Sequence, residues 1–300
     1  MILVAGATGV VGGMIARELL EQGKEVRVLV RRDSPSSQLV QRGLATSAET
    51  LIETGAQPVH GDLRDRASLD AALEGVETVI STANSALRGG ADNPQSVDLD
   101  GNRNLIEGAR DAGVEHFVFV SLLGAAPDHP APFLRAKGQS EASLRESGMG
   151  YTILAPTAFM ELWASMVVGM PALQGQPVTL VGEGRRRHSF VSNRNVAAFA
   201  VNAVDNPAAL NRHLAIGGPE ALTWREVVAT YERALERSIP VKFVAMGEPV
   251  PGLPEPMPVM LAGMETYDSV VEMEETSRTF GVPLTTLEMF VKEQVATQIA

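Results

Sequence analysis

Cysteine is absent from the 300 residues. Disulfides, thiolate catalysis and cysteine-held metals are thereby excluded, no metal site is expected, and the composition suits a reducing compartment. Positive charge is in deficit, with a formal net charge of −11. Nucleic acids and anionic membrane surfaces are held through clustered cations, so neither is an expected partner. No apolar run approaches the length of a membrane span, and there is no internal repeat or low-complexity tail. No charged leader precedes the first apolar run at Ile2, so a cytoplasmic location without a cleaved signal is the expectation.

What is present is concentrated at the start. MILVAGATGVVGG joins a short run of β-formers, Ile2 to Val4, to glycines at Gly6, Gly9 and Gly12 and then to a helical pattern. A buried strand that runs through a glycine-punctuated turn into a helix binds a dinucleotide pyrophosphate. Gly6 allows the sharp turn, Gly9 leaves the backbone open to phosphate oxygens, and Gly12 lets the helix pack close to the strand. The helix carries Ile15, Ala16, Leu19 and Leu20 on one side and is expected to stop at Gly23.

The length and the 45 % hydrophobic content predict an α/β fold, a Rossmann doubly wound parallel sheet with a smaller C-terminal lobe. Residues 1–156 form the dinucleotide domain, with 189–217 returning to it, and 157–188 and 218–300 form the substrate lobe. Strands are predicted over 26–30, 59–63, 77–81, 116–121, 151–155, 176–181, 214–216 and 241–244. Helices are predicted near 47–54, 65–73, 95–112, 133–148, 224–236, 259–274 and 284–296, the one over 65–73 with an acidic cap and that over 224–236 capped by Thr223. The prolines within 248–258 predict a stiff extended loop.

Chemistry is expected at the carboxyl ends of the strands. Arg31 and Arg32 follow the second strand, and a guanidinium there suits a 2′-phosphate, which favours NADP(H) over NAD(H); Arg32 in solvent is the other reading. Asp62 leaves the third strand, placed either to face adenine or to cap a turn. Thr82, Ala83 and Asn84 are short enough for a ribose and nicotinamide to lie close. His116 is expected to be structural. Lys137 sits one helical turn after Phe133, on the helix that leaves the cofactor edge. The segment from Thr157 to Pro177 is rich in Met, Phe and Trp, suited to a core or to an apolar pocket. Arg185, Arg186, Arg187 and His188 are expected to form an exposed loop face.

Together VAGATGVVG, the arginine after the second strand, GDL after the third, VFVSLLGA after the fifth, the lysine helix and YTILAP after the sixth resemble the NmrA-like group of atypical short-chain dehydrogenases. The likeness runs through most of the chain and is most specific over residues 1–160. It implies that Gly6, Thr8, Gly9, Val10, Val11 and Gly12 hold the pyrophosphate, that Arg31 takes the 2′-phosphate with Arg32 or Ser36 assisting, and that Asp62 and Leu63 flank adenine. Ala83 would border the ribose and Pro156 to Phe159 would wall the nicotinamide. Short-chain dehydrogenases use a Tyr-x-x-x-Lys pair; here Phe133 stands at the tyrosine position and Lys137 remains. Leu122 follows Ser121 where a hydroxyl would fall, and Ala155 stands where relatives often carry arginine.

Two functions follow. The first is an NADPH-dependent reductase acting on an apolar or aromatic carbonyl, quinone or activated double bond. Its substrate would be held by Phe133, Phe159, Met160, Trp163 and Met166, with Lys137, Ser121 and His129 as proton-handling candidates. The second is a non-catalytic NADP(H) sensor or assembly protein, for which the missing tyrosine is natural. A sugar-nucleotide epimerase shares the fold but generally needs the tyrosine. A monomer or homodimer is expected.

Overall fold

The computed structural model describes residues 1–31, 45–86, 88–253 and 257–299; Arg32 and Ser36 lie outside them. The chain divides into two compact units. The first contains Met1–Pro156, Val196–Ala215 and Phe280–Val282, and the second Thr157–Asn195, Ile216–Thr279 and Pro283–Ala300.

The first unit is built on a seven-stranded sheet. In chain order its strands are β1 (Ile2–Ala5), β2 (Val26–Val30), β3 (Gln57–His60), β4 (Thr78–Ser81), β5 (His116–Val120), β6 (Gly150–Pro156) and β8 (Arg212–Ile216), arranged 3-2-1-4-5-6-8. The five pairs from β3 through β6 are parallel, with Val4 opposite both Val28 and Ile80. Parallel strands need both faces covered, and β1, β4 and β5 are buried throughout. The order reverses between β1 and β4, and a crevice opens beyond the carboxyl ends of strands at such a point.

Helix α1 (Val10–Glu21) buries Gly12, Gly13, Ile15, Ala16 and Leu19, and ends at Gly23 with φ of 74°. Helix α2 (Ala48–Glu53) is capped by Ser47, and the chain leaves it through Gly55 at φ of 108°. A 3₁₀ turn at Arg66–Leu69 leads into α3 (Asp70–Leu73). Asp65 caps this turn through its main-chain oxygen, which accepts from Ser68 N, and not through its carboxylate. The helix predicted over 95–112 is composite: a wide π-type helix at Pro94–Gly101 continues as α4 (Asn102–Asp111). Asn93 starts it with a capping box that involves Ser96. Helix α5 (Pro132–Glu146) opens on proline, whose fixed φ suits a first turn. His116 is structural: its Nε2 lies 2.9 Å from Thr152 Oγ1 inside the sheet.

The second unit has its own core around Trp163, Phe190, Trp224 and Tyr231. A two-stranded parallel sheet, β7 (Val178–Val181) with β9 (Val241–Val244), is flanked by the π-type helix Met160–Gly169, α6 (Met170–Leu173) and α8 (Trp224–Leu235). Thr223 and Glu226 form the capping box of α8. Helix α7 (Asn193–Ala203) carries the chain from this unit into the first. The helix predicted over 259–274 is instead α9 (Met257–Met264), then irregular chain, then α10 (Glu274–Phe280). Pro258 lies in the first turn of α9, where a missing N–H costs nothing, so the extended loop is shorter than predicted. Helix α11 (Leu287–Ile299) ends the described chain.

His188 departs from the exposed loop expected of residues 185–188. Arg185 is 72 % exposed beside Glu183, but His188 is fully buried, its Nδ1 2.8 Å from Ser269 Oγ and its ring edge-on to Phe190 and Tyr267. Burial holds its imidazole pKa down at about 4.

Candidate functional site

The glycine turn does what its spacing demands. Gly6 has φ of 87°, and a Cβ there would stand 2.6 Å from Thr82 Oγ1 and 2.9 Å from Ala83 N. A Cβ on Gly12 would stand 2.2 Å from Gly6 O. Only glycine lets β1, α1 and the chain leaving β4 meet so closely. Gly9 is the N-cap of α1 and makes no side-chain cap. The first amides of the helix, at Val10, Val11 and Gly12, therefore point outward with the positive end of the helix dipole, which is the donor set a pyrophosphate needs.

Beyond this turn lies an open groove lined by Gly6, Thr8, Leu29, Arg31, Asp62, Leu63, Ala83, Asn84, Arg88 and Asp92, among others. Seven residues expected at a nucleotide from the sequence, Gly6, Thr8, Arg31, Asp62, Leu63, Ala83 and Asn84, thus line one groove. At its polar end Arg31 Nη1 lies 2.8 Å from Asp92 Oδ2, Arg64 Nη1 3.3 Å from Asp92 Oδ1 and Arg88 Nη1 3.6 Å from Asp92 Oδ2. Asp62 is gripped by Arg64, whose Nη2 lies 2.6 Å from Oδ2 and whose main-chain N donates to Oδ1. Those hydrogen bonds hold the Asp62 carboxyl below its ordinary pKa. Burial, and then the Arg31 charge, pull Arg88 below its own.

A glycine cradle under an open helix start, at the switch point of a parallel sheet, is the arrangement shared by the dinucleotide-binding reductases. Residues 1–293 match the NmrA-like family along nearly their whole length. The chain belongs to the NmrA-like family. This NmrA-like chain is 33 % identical over 246 residues to an NAD(P)H azoreductase of Xenophilus azovorans, which covers 82 % of the chain and 77 % of that protein. It is 30 % identical over 245 residues to the photosystem II assembly factor Ycf39 of Synechocystis, covering 82 % and 71 %. Its fold matches the crystal structure of an NADPH-dependent quinone oxidoreductase of Escherichia coli in complex with NADPH, with a TM-score of 0.77, 23 % identity and 100 % of both chains covered.

In the NmrA-like chain, Lys137 is interior, only 2 % exposed. Its Nζ donates to Ala83 O at 3.2 Å and Val120 O at 3.3 Å and lies 3.4 Å from Asp98 Oδ1. The ammonium thereby ties the exit of β4 to the end of β5, and it sits 4.8 Å from the centre of the Phe119 ring and 6.0 Å from that of Phe133. Burial lowers the lysine pKa and the Asp98 charge opposes the shift. Asp98 Oδ2 accepts from Ser85 N and Oγ, while Asn102 Nδ2 donates to the carbonyls of Ala83, Val97 and Asp98. Nothing in the sequence singles out Asp98, Asn102 and Ser85, which read there as ordinary loop and helix polar residues.

Ser121, at the end of β5, donates from Oγ to Glu141 Oε1 at 2.5 Å. Glu141 Oε2 accepts from Arg145 at 2.9 Å and lies 3.4 Å from Nε2 of the more exposed His213. Burial pushes the Glu141 carboxyl up, but the hydrogen bonds from His213, Ser121 and Arg145 outweigh it and hold the pKa below its ordinary value. His129 uses Nδ1 to accept from Ala131 N at the entry to α5. Thr82 Oγ1 turns inward to Ala5 O and Gly6 O. Pro156 ends β6, and its carbonyl accepts from Leu123 N. In the second unit, Met160 and Trp163 fill the core, whereas Phe159 and Met166 are only partly buried. Among the described residues no cluster of metal-ligating side chains occurs, and no helix is long and apolar enough to cross a membrane.

Proposed function

We propose that this protein is an NADP(H)-dependent oxidoreductase that reduces an apolar or aromatic carbonyl, quinone or activated double bond without a catalytic tyrosine. The observation that carries the reading is the groove itself, whose lining holds Gly6 of the glycine cradle together with Arg31 and Arg88, with Arg64 joined to them through Asp92. Gly6, Gly9 and Gly12 leave room for a pyrophosphate, and the amides of Val10 and Val11 supply its donors. Arg31, Arg64 and Arg88 supply the charge for a 2′-phosphate. The nicotinamide, when bound, supplies a hydride. Lys137 holds the carbonyl of Ala83, which lines the groove, and that of Val120 at the end of β5, and we assign it a positioning role. Ser121 is the group we assign to proton delivery: its hydroxyl turns from the Glu141 carboxylate to give its proton, and that proton is replaced from solvent when His213 passes one through Glu141. Phe133 supplies apolar surface beside Lys137 and has no proton to give. The Xenophilus relative bears its NAD(P)H reductase name at 33 % identity, which supports the same chemistry. The cysteine-free composition supports a cytoplasmic location, and we infer a monomer or homodimer.

The Ycf39 relative, together with Phe133 at the tyrosine position, favours a second reading, an NADP(H)-binding assembly or sensing protein without turnover. Calorimetric titration with NADPH and NADH, followed by absorbance at the nicotinamide band with quinones, aldehydes, aryl enones and azo dyes, separates the two. Tight NADPH binding with consumption on one substrate class is the expected result. Tight binding without consumption on any class selects the second reading.

A further inference from the structure

Asp92 stands among the guanidiniums at the polar end of the groove. It closes a tight turn, Arg88 to Asp92, through Gly89 and Gly90 at φ of 77° and 64°, with Asp92 N donating to Gly89 O at 3.3 Å. A Cβ on either glycine would meet nothing within 4 Å, so the turn is not wedged by neighbours. Yet the Asp92 side chain is only 13 % exposed, because three guanidiniums from three strand exits converge on it: Arg31 after β2, Arg64 after β3 and Arg88 after β4. Its two oxygens are divided among them, Oδ2 to Arg31 and Arg88 and Oδ1 to Arg64. Three cations brought together this closely repel one another unless an anion lies among them.

We propose that Asp92 is an internal counter-anion that occupies the phosphate-binding guanidiniums and is displaced by the 2′-phosphate of the nucleotide, so that it sets the affinity for NADP(H) and its margin over NAD(H). The inference rests on the dinucleotide reading of the groove. A phosphomonoester that reaches any two of these arginines must approach the carboxylate already between them, and the two anions compete for the same donors. A ribose 2′-hydroxyl has no charge to offer in exchange and leaves the Asp92 contacts as they are. Asp92 is therefore expected to oppose the phosphorylated nucleotide alone. Asp62, held by Arg64 at the same end, adds a second carboxylate that Arg64 must keep neutralised. Arg31 and Arg88, which share Asp92 Oδ2, are thus the donors whose contact with Asp92 a 2′-phosphate replaces most directly.

The test is calorimetric titration of the full chain and of Asp92→Asn with 2′,5′-ADP and with 5′-ADP, at low and at moderate salt. Asn keeps the size of the side chain and removes its charge. The expected result is that Asp92→Asn binds 2′,5′-ADP about fivefold or more tightly than the unaltered protein, with 5′-ADP changed by less than about twofold, the difference shrinking as salt rises. Arg88→Gln, with a thermal melt to show that it is folded, should lose about tenfold for 2′,5′-ADP and little for 5′-ADP. Weaker 2′,5′-ADP binding by Asp92→Asn, or an equal change for both nucleotides, overturns the proposal and leaves the dinucleotide reading standing. If the unaltered protein binds neither nucleotide nor NADP⁺, the dinucleotide reading falls and this inference falls with it.

Discussion

Gly12 and His188 show how much one residue decides. A Cβ on Gly12 would collide with the carbonyl of Gly6, a main-chain atom with no rotamer by which to yield. Gly12→Ala is expected to cost ~3 kcal/mol in denaturant unfolding and to weaken nucleotide binding, because α1 must move off the turn. Gly12 was recognisable from spacing, since the close approach of helix and strand is local. His188 was not: a histidine after three arginines reads as surface, and only tertiary contacts from Tyr267 and Ser269 bury it. With a folded pKa near 4 and an ordinary unfolded value of 6.5, the unfolded chain binds the extra proton between these limits. Stability contributed by the neutral ring is complete above pH 6.5 and declines as pH falls toward 4. From pH 7.5 to pH 5 the loss from this residue is about 2 kcal/mol. Urea unfolding should show it in the unaltered protein and not in His188→Gln.

Among the elements, α5 is the one whose role the sequence half disclosed. Its start, read near Phe133 and found at Pro132, and the placement of Lys137 one turn after Phe133 are legible in the sequence, but the partners of Lys137 are not. The lysine faces inward because α5 packs along the π-type helix that carries Asp98, and the two charges meet inside the protein. Lys137→Met leaves the Asp98 carboxylate buried without its cation, and we expect a loss of about 3–5 kcal/mol. Adding Asp98→Asn to that variant should restore a substantial part, measured as a double-mutant cycle in denaturant. Ser121, at the end of β5, meets the same helix α5 through Glu141. Ser121→Ala is expected to lower kcat by about 10²-fold with KM nearly unchanged, and an unaltered kcat would remove Ser121 from proton delivery. The helix expected over 259–274 broke into two because Gly263 and the polar stretch after Met264 interrupt the apolar periodicity from which it was inferred.

Over the whole molecule the arithmetic of binding gives a further expectation. A ligand present at 100 times its dissociation constant stabilises the folded state by about 2.7 kcal/mol. NADPH should therefore raise the melting temperature of the first unit's transition more than NADH does at equal concentration, as read by calorimetry. An equal shift for both would place the selectivity outside Arg31, Arg64 and Arg88. The net charge of −11 makes the positive end of this groove a local exception on an acidic protein, and a phosphorylated nucleotide is attracted there against the general field.

The sequence by itself determined the doubly wound sheet, the glycine turn at its switch point and the basic exit of β2. Each of these rests on short-range geometry: strand alternation, helix period, and the room that a missing Cβ leaves. Tertiary structure alone decided that Arg64, Arg88 and Asp92 join Arg31, that Lys137 is buried against Asp98, and that Met160 and Trp163 go to a core while Phe159 and Met166 keep part of their surface. These depend on strand exits and helices far apart in the chain coming together, and no local pattern records which side chains will face one another there.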